Sequence, residues 1–164
     1  MDVRLTLRNV RMAGNRAVVG GALSYESGGQ ARLLIQDSVI EANLAQRADG
    51  GASGGGMALQ LRGQACGQIL NSTIFFNRVE STFAGAAVSG GGLSVGVDDQ
   101  ASFELRRTTI GYNQADAGDG ANPSAAGLIL GASGESRVRV EDVRLEGNDC
   151  RGPSWPAART CPAR

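Results

Sequence analysis

The sequence predicts an all-β chain wound as a parallel β-helix (a solenoid) of about five coils, with three short strands per coil. Two observations predict it. A segment of 23 residues occurs four times without a gap, at 21–43, 55–77, 91–113 and 126–148, and a truncated copy at 3–15 precedes them. Within each copy apolar residues recur with period two, the alternation of strands that bury one face.

The first strand carries the inward column Leu23, Met57, Leu93, Leu128, and two residues on Tyr25, Leu59, Val95, Leu130. A polar turn follows, with Gln30, Gln64, Gln100 and Glu135 in equivalent places. The second strand contributes Leu5, Leu33, Gly67, Phe103, Val138 and then Leu7, Ile35, Ile69, Leu105, Val140. Gly67 falls between Leu33 and Phe103, so a missing side chain makes room for a large ring in the next layer. After a turn at Asn9, Asp37, Asn71, Arg107 and Asp142, the third strand supplies Met12, Ile40, Ile74, Ile110 and Leu145. Tight hairpins within a unit could not keep all these columns inward. Parallel pairing of each strand with its counterpart one unit on, ~4.8 Å away, can do so.

An unbroken column of Asn15, Asn43, Asn77, Asn113 and Asn148 closes the repeat. Stacked amides hydrogen-bond from coil to coil, and Asn accepts the left-handed backbone of a sharp corner, so this column is read as corner reinforcement. From it to the next Gly pair or its equivalent the length varies: five residues after Asn15, eleven after Asn43, thirteen after Asn77 and twelve after Asn113. These stretches begin alike, at Ala17, Ala45, Val79 and Ala115, and continue rich in Ala, Gly and Ser. They are read as insertions along one edge of the solenoid.

The composition excludes several chemistries. The formal net charge is zero, which favours neither nucleic acid nor an anionic membrane as partner. There is no His, and every basic residue is Arg, so His bases, His metal ligands and Schiff-base lysines are all absent. No apolar run approaches the ~18 residues needed to span a bilayer. Met1-Asp2-Val3-Arg4 leads straight into strand pattern, so no signal sequence is read in the chain.

The solenoid is assigned to 1–150 and a Pro-rich tail or cap to 151–164. Cys150 and Cys161 flank that tail and are candidates for a disulfide, the alternative being free thiols for them and Cys66. The chain begins inside a coil, so its N-terminal end is expected to pair with upstream repeats or with another chain.

The pairing of Gly-Gly-Ala-Leu (20–23), Gly-Gly-Gly-Met (54–57) and Gly-Gly-Gly-Leu (90–93) with Ile-Glu-Ala-Asn (40–43), Ile-Phe-Phe-Asn (74–77) and Ile-Gly-Tyr-Asn (110–113) resembles the repeat of bacterial polymorphic outer-membrane proteins. It is similar also to the wider class of pectate-lyase-type β-helix repeat proteins, and the resemblance covers residues 3 to 150. It implies a right-handed helix and a bacterial protein of the cell surface or the extracellular space.

Two sets of residues invite a chemical reading. Glu104, Arg106 and Arg107 align with Arg139, Glu141 and Asp142, so three opposite-charge pairs should face each other across neighbouring coils. Pectate-lyase-like enzymes use an Arg base beside calcium-binding carboxylates, which makes Glu104, Arg106, Arg139 and Glu141 the catalytic candidates. Their matched charges read more simply as cross-coil salt bridges. Asp116 and Asp119 are separated by Ala-Gly and are candidate oxygen ligands for calcium; otherwise no cofactor is expected. Asp98-Asp99 occupies a turn where other coils have Gly28-Gly29, Arg62-Gly63 and Ser133-Gly134. Asp99 should therefore take a glycine-like backbone, with Asp98 near Arg62.

The leading expectation is a non-catalytic structural or adhesive module whose partner is a polysaccharide or another protein surface. The alternative is a carbohydrate-active lyase or hydrolase. An ice-like or crystal surface would need a flat Thr array, and Thr73 and Thr109 are flanked in their column by Val39 and Arg144.

Overall fold

The computed structural model describes residues 3–118 and 122–152. It is all-β, with no helix among the described residues, and winds through about four turns of a parallel solenoid. Every strand pairs in parallel with its counterpart one coil away, never with its sequence neighbour. The column alignment is reproduced residue for residue: Leu33 faces Gly67, Gly67 faces Phe103 and Phe103 faces Val138.

A full coil has five strands, the three of the repeat and two more. Sheet one stacks Leu23–Ser27, Met57–Leu61, Leu93–Val97 and Leu128–Ala132. Sheet two stacks Arg4–Arg8, Arg32–Gln36, Cys66–Leu70, Ser102–Arg106 and Arg137–Glu141. Sheet three stacks Arg11–Ala13, Val39–Glu41, Thr73–Phe75, Thr109–Gly111 and Arg144–Glu146. Sheets four and five arise from the variable stretches. Sheet four contains Arg16–Ala17, Leu44–Arg47, Arg78–Ser81, Gln114–Ala117 and Asp149–Arg151; sheet five contains Ala52–Ser53, Ala87–Ser89 and Asn122–Ala125.

The expectation of bland insertions is therefore corrected. Ala45, Val79 and Ala115 point inward and join Ala52, Val88, Ala126 and Cys150 in a second buried cluster. Small side chains suit it because sheets four and five close over little space. The principal core lies between sheets one to three and holds Leu33, Ile35, Met57, Ile69, Leu93, Phe103 and Ile110. Each such side chain contributes roughly 1.5–3 kcal/mol before entropy is subtracted. Gly67 has the role expected of it, since a Cβ there would lie 2.6 Å from Leu61 Cδ1 and 3.2 Å from Phe103 Cδ2.

The corners are polar ladders. Each Asn from Asn15 to Asn113 donates Nδ2 to the next Asn Oδ1, at 2.9 Å for Asn43 to Asn77 and 3.0 Å for Asn77 to Asn113. The second Nδ2 hydrogen goes to a backbone carbonyl of the preceding coil, as from Asn77 to Ile40 O at 2.9 Å. The left-handed backbone expected of these Asn residues lies one residue earlier, at Gly14 (φ 69°), Ala42 (φ 52°), Phe76 (φ 54°), Tyr112 (φ 54°) and Gly147 (φ 60°). The Asn must leave its side chain parallel to the axis to stack, so the residue before it makes the bend. At the turn between sheets two and three, Asn9, Asp37, Asn71, Arg107 and Asp142 themselves take positive φ. The Gln column forms an exposed ladder, Gln30 to Gln64 at 3.3 Å, Gln64 to Gln100 at 3.4 Å and Gln100 to Glu135 at 3.2 Å.

Candidate functional site

Glu104, Arg106, Arg139 and Glu141 project from the outer face of sheet two. Strand alternation sends Phe103 and Leu105 into the core and so turns Glu104 and Arg106 outward. Parallel register then sets Glu104 opposite Arg139 and Arg106 opposite Glu141. Of the three expected cross-coil pairs only Arg106–Glu141 forms, and only as a long contact. Arg139 Nη2 meets Glu141 Oε1 at 2.6 Å along its own strand, and Arg106 lies 3.9 Å from Glu104 and 4.0 Å from Glu141. Arg107 Nε donates to Asn71 Oδ1 at 2.7 Å, not to Asp142. Residues two apart on a strand share one face, and an Arg is long enough to reach its own strand's carboxylate.

Glu104 also accepts a hydrogen bond from Gln68 Nε2 at 2.8 Å. The hydrogen bond to Glu141, aided by that carboxylate's charge, raises the Arg139 pKa above its already high ordinary value. A guanidinium held this way is a cation and a hydrogen-bond donor, the reverse of a base. Beside the cluster lies a shallow, largely apolar depression of about 350 Å³ in which Cys66, Phe103 and Val138 join the polar Gln68, Glu104 and Arg139. The arrangement can hold and orient a polar ligand; proton abstraction by Arg139 would first have to break the Glu141 contact.

Of the calcium candidates, Asp116 stands on a sheet-four strand, with Oδ2 2.5 Å from Arg78 Nη2. Arg78 also meets Glu80 at 3.0 Å, so both carboxylates share one guanidinium. Asp119 lies outside the described residues. Among the described residues no group of three or more His, Cys, Asp or Glu side chains is placed to hold a metal ion. Cys66 is a free, half-buried thiol. Cys150 is buried, and its expected partner Cys161, with most of the tail 151–164, lies outside the described residues. Asp99 takes φ 60° and Asp98 sits 3.8 Å from Arg62, both as expected; Asp98 also accepts from Gln60 at 2.6 Å and from Ser133 at 2.7 Å. No helix among the described residues is long and apolar enough to cross a membrane.

Two features escaped the column reading. Ser38, Ser72 and Thr108 form a buried hydroxyl column, each donating to the carbonyl two residues before it. The other is an aromatic cluster at the corner between sheets three and four. Phe76 and Tyr112 stack with centroids 5.5 Å apart and planes 24° apart, and Phe75 packs edge-on to Tyr112 at 6.0 Å. Phe76 is 59% exposed and Tyr112 48% exposed. The signal was present in Ile-Phe-Phe-Asn and Ile-Gly-Tyr-Asn, where large aromatics occupy positions that alternation alone leaves undefined. Compared with known proteins, the chain matches no protein-family model, no curated protein and no solved structure.

Proposed function

We propose that this chain is a non-catalytic structural or adhesive β-solenoid module of a bacterial secreted or surface protein. The observation that carries the reading is the internal use of its charged groups. Arg139 binds Glu141 at 2.6 Å, Arg78 binds Asp116 at 2.5 Å, and Arg144 binds Glu146 at 2.7 Å. Arg78–Asp116 ties two coils together, the other two pairs close within one strand, and charges spent on one another leave little to polarise a substrate. The resemblance of the repeats to those of polymorphic outer-membrane proteins supports a surface location.

A polysaccharide lyase or hydrolase is the second reading, favoured by the depression beside Glu104 and Arg139. One experiment separates them: a lyase assay on uronate polymers with and without calcium, alongside glycan-array binding. The adhesive reading expects retention on a surface ligand without cleavage. Cleavage that disappears in Glu104→Gln or Arg106→Ala would establish the enzyme instead.

A further inference from the structure

We propose that Phe75, Phe76 and Tyr112 form a binding ledge for a neutral polysaccharide built from pyranose rings with all-equatorial hydroxyls. This rests on the adhesive reading and names its ligand class and its site. The first argument is backbone conformation. Phe76 and Tyr112 take φ 54°, a region that bulky L-residues rarely occupy. In the same column the chain places Gly14, Ala42 and Gly147. Glycine takes this conformation without steric cost, so two consecutive aromatics there work against stability and need a reason outside it.

The second argument is the shape of the cluster. The Tyr112 ring lies over Gly147, where a Cβ would come within 2.6 Å of the ring, and Phe75 covers Gly111 in the same way at 2.6 Å. One face of Phe76 rests on Tyr112. Its neighbour one coil back in the column is Ala42, which has no ring, and Phe76 is 59% exposed. A flat apolar ring can therefore continue the stack above Ala42. The axial C–H faces of an all-equatorial pyranose are such a surface, and they meet the negative face of an aromatic ring favourably.

The third argument is the rim. Thr73 and Thr109 stand on the outer face of the same strands. Glu41 is in register with Phe75 and binds Arg11 at 2.6 Å, and Glu146 is in register with Gly111 and binds Arg144 at 2.7 Å. Hydroxyls and closed ion pairs offer donors and acceptors with no net charge, which suits a neutral polyol better than an anionic polymer.

The test is calorimetric titration of the whole chain with cellohexaose. The wild type should bind, and the double variant Phe76→Gly, Tyr112→Gly should bind about tenfold or more weakly, because the free face of Phe76 is buried only in the complex and Tyr112 supports that ring from behind. The same variant should melt close to wild type, since relief of the positive φ offsets the lost ring–ring contacts. A double variant Phe76→Leu, Tyr112→Leu keeps apolar surface without rings and should also lose the sugar. Undiminished binding by the glycine variant overturns this site and leaves the adhesive reading standing. No binding of cellohexaose by wild type overturns the ligand class, while retention on the glycan array would still support adhesion. A marked fall in melting temperature, or concentration-dependent self-association that the leucine variant retains, makes the cluster a packing or self-contact surface and overturns the proposal.

Discussion

Asn77 and Asn113 are joined twice: the Asn113 Oδ1 accepts the Asn77 backbone N–H at 2.9 Å and the Asn77 side-chain Nδ2 at 3.0 Å. Asn77 in turn receives Asn43 by the same two bonds, at 3.1 and 2.9 Å. Each buried amide thus uses both donors and both acceptor sites. Replacing Asn77 by Ala strands partners on two coils. An unpaired buried group costs about 1–3 kcal/mol, so Asn77→Ala should lose roughly 3–5 kcal/mol in urea unfolding. Gln64→Ala, in the exposed ladder, should cost less than about 1 kcal/mol. Equal losses at the two positions would mean that burial does not set the strength of the ladders.

Gly55 and Gly131 should respond oppositely to the same substitution. A Cβ at Gly55 would lie 2.2 Å from Gly91 O and 2.5 Å from Arg78 C, both backbone atoms of neighbouring segments. Neither can yield without opening the corner, so Gly55→Ala is expected to cost more than about 3 kcal/mol and to cut expression of folded protein. At Gly131 the nearest atom is Val95 O at 3.9 Å, which is ordinary contact. Gly131→Ala should be neutral or stabilising by up to about 1 kcal/mol through the unfolded chain. Thermal melts of the two variants are the measurement.

The charged patch on sheet two should matter little to folding. Arg106 makes only long contacts, 3.9 and 4.0 Å, to carboxylates that remain partly in water. Solvent screening holds such pairs to about 0.2–1 kcal/mol, so Glu104→Gln and Arg106→Ala should each shift stability by no more than that. Raising salt should shrink the difference further. A loss of several kcal/mol in denaturant titrations would show the patch to be a buried network.

Asp49 gives a pH signature. Its carboxylate accepts from Arg47 Nε at 2.8 Å, and this hydrogen bond, with the charge behind it, lowers its pKa below the ordinary carboxylate value. A folded-state pKa below the unfolded one adds stability above the unfolded value and loses it as pH falls through the folded value. The contribution is therefore fully present at neutral pH and is lost only as the solution is acidified. Carboxyl NMR should find Asp49 titrating low, and Arg47→Gln should return it to the ordinary range. An unmoved titration curve in that variant would assign the shift elsewhere.

The repeat was legible in sequence because a parallel solenoid copies each side chain into the same environment one coil later. Leu33, Gly67 and Phe103 could be placed in one core column, and Asp99 in a glycine conformation, by alignment alone. Reading failed where repetition weakens. The stretches after Asn43 and Asn77 differ in length, so past the shared Ala45 and Val79 no fixed frame marked Ala52 and Val88 as inward. Side-chain partners also escaped it. Register places Arg139 beside Glu104, but a flexible guanidinium chooses among carboxylates within reach, and it takes Glu141.

The sequence by itself determined the winding, the inward columns and the amide corner, because each follows from a period and from which groups must be buried or paired. Tertiary structure alone decided the number of sheets, the second small core, the partners of Arg107 and Arg139 and the stacking of Phe76 on Tyr112. Those depend on distances between side chains that no local pattern encodes: a corner one residue before Asn77 turns two aromatic rings outward, where sequence shows only two residues between an Ile and an Asn.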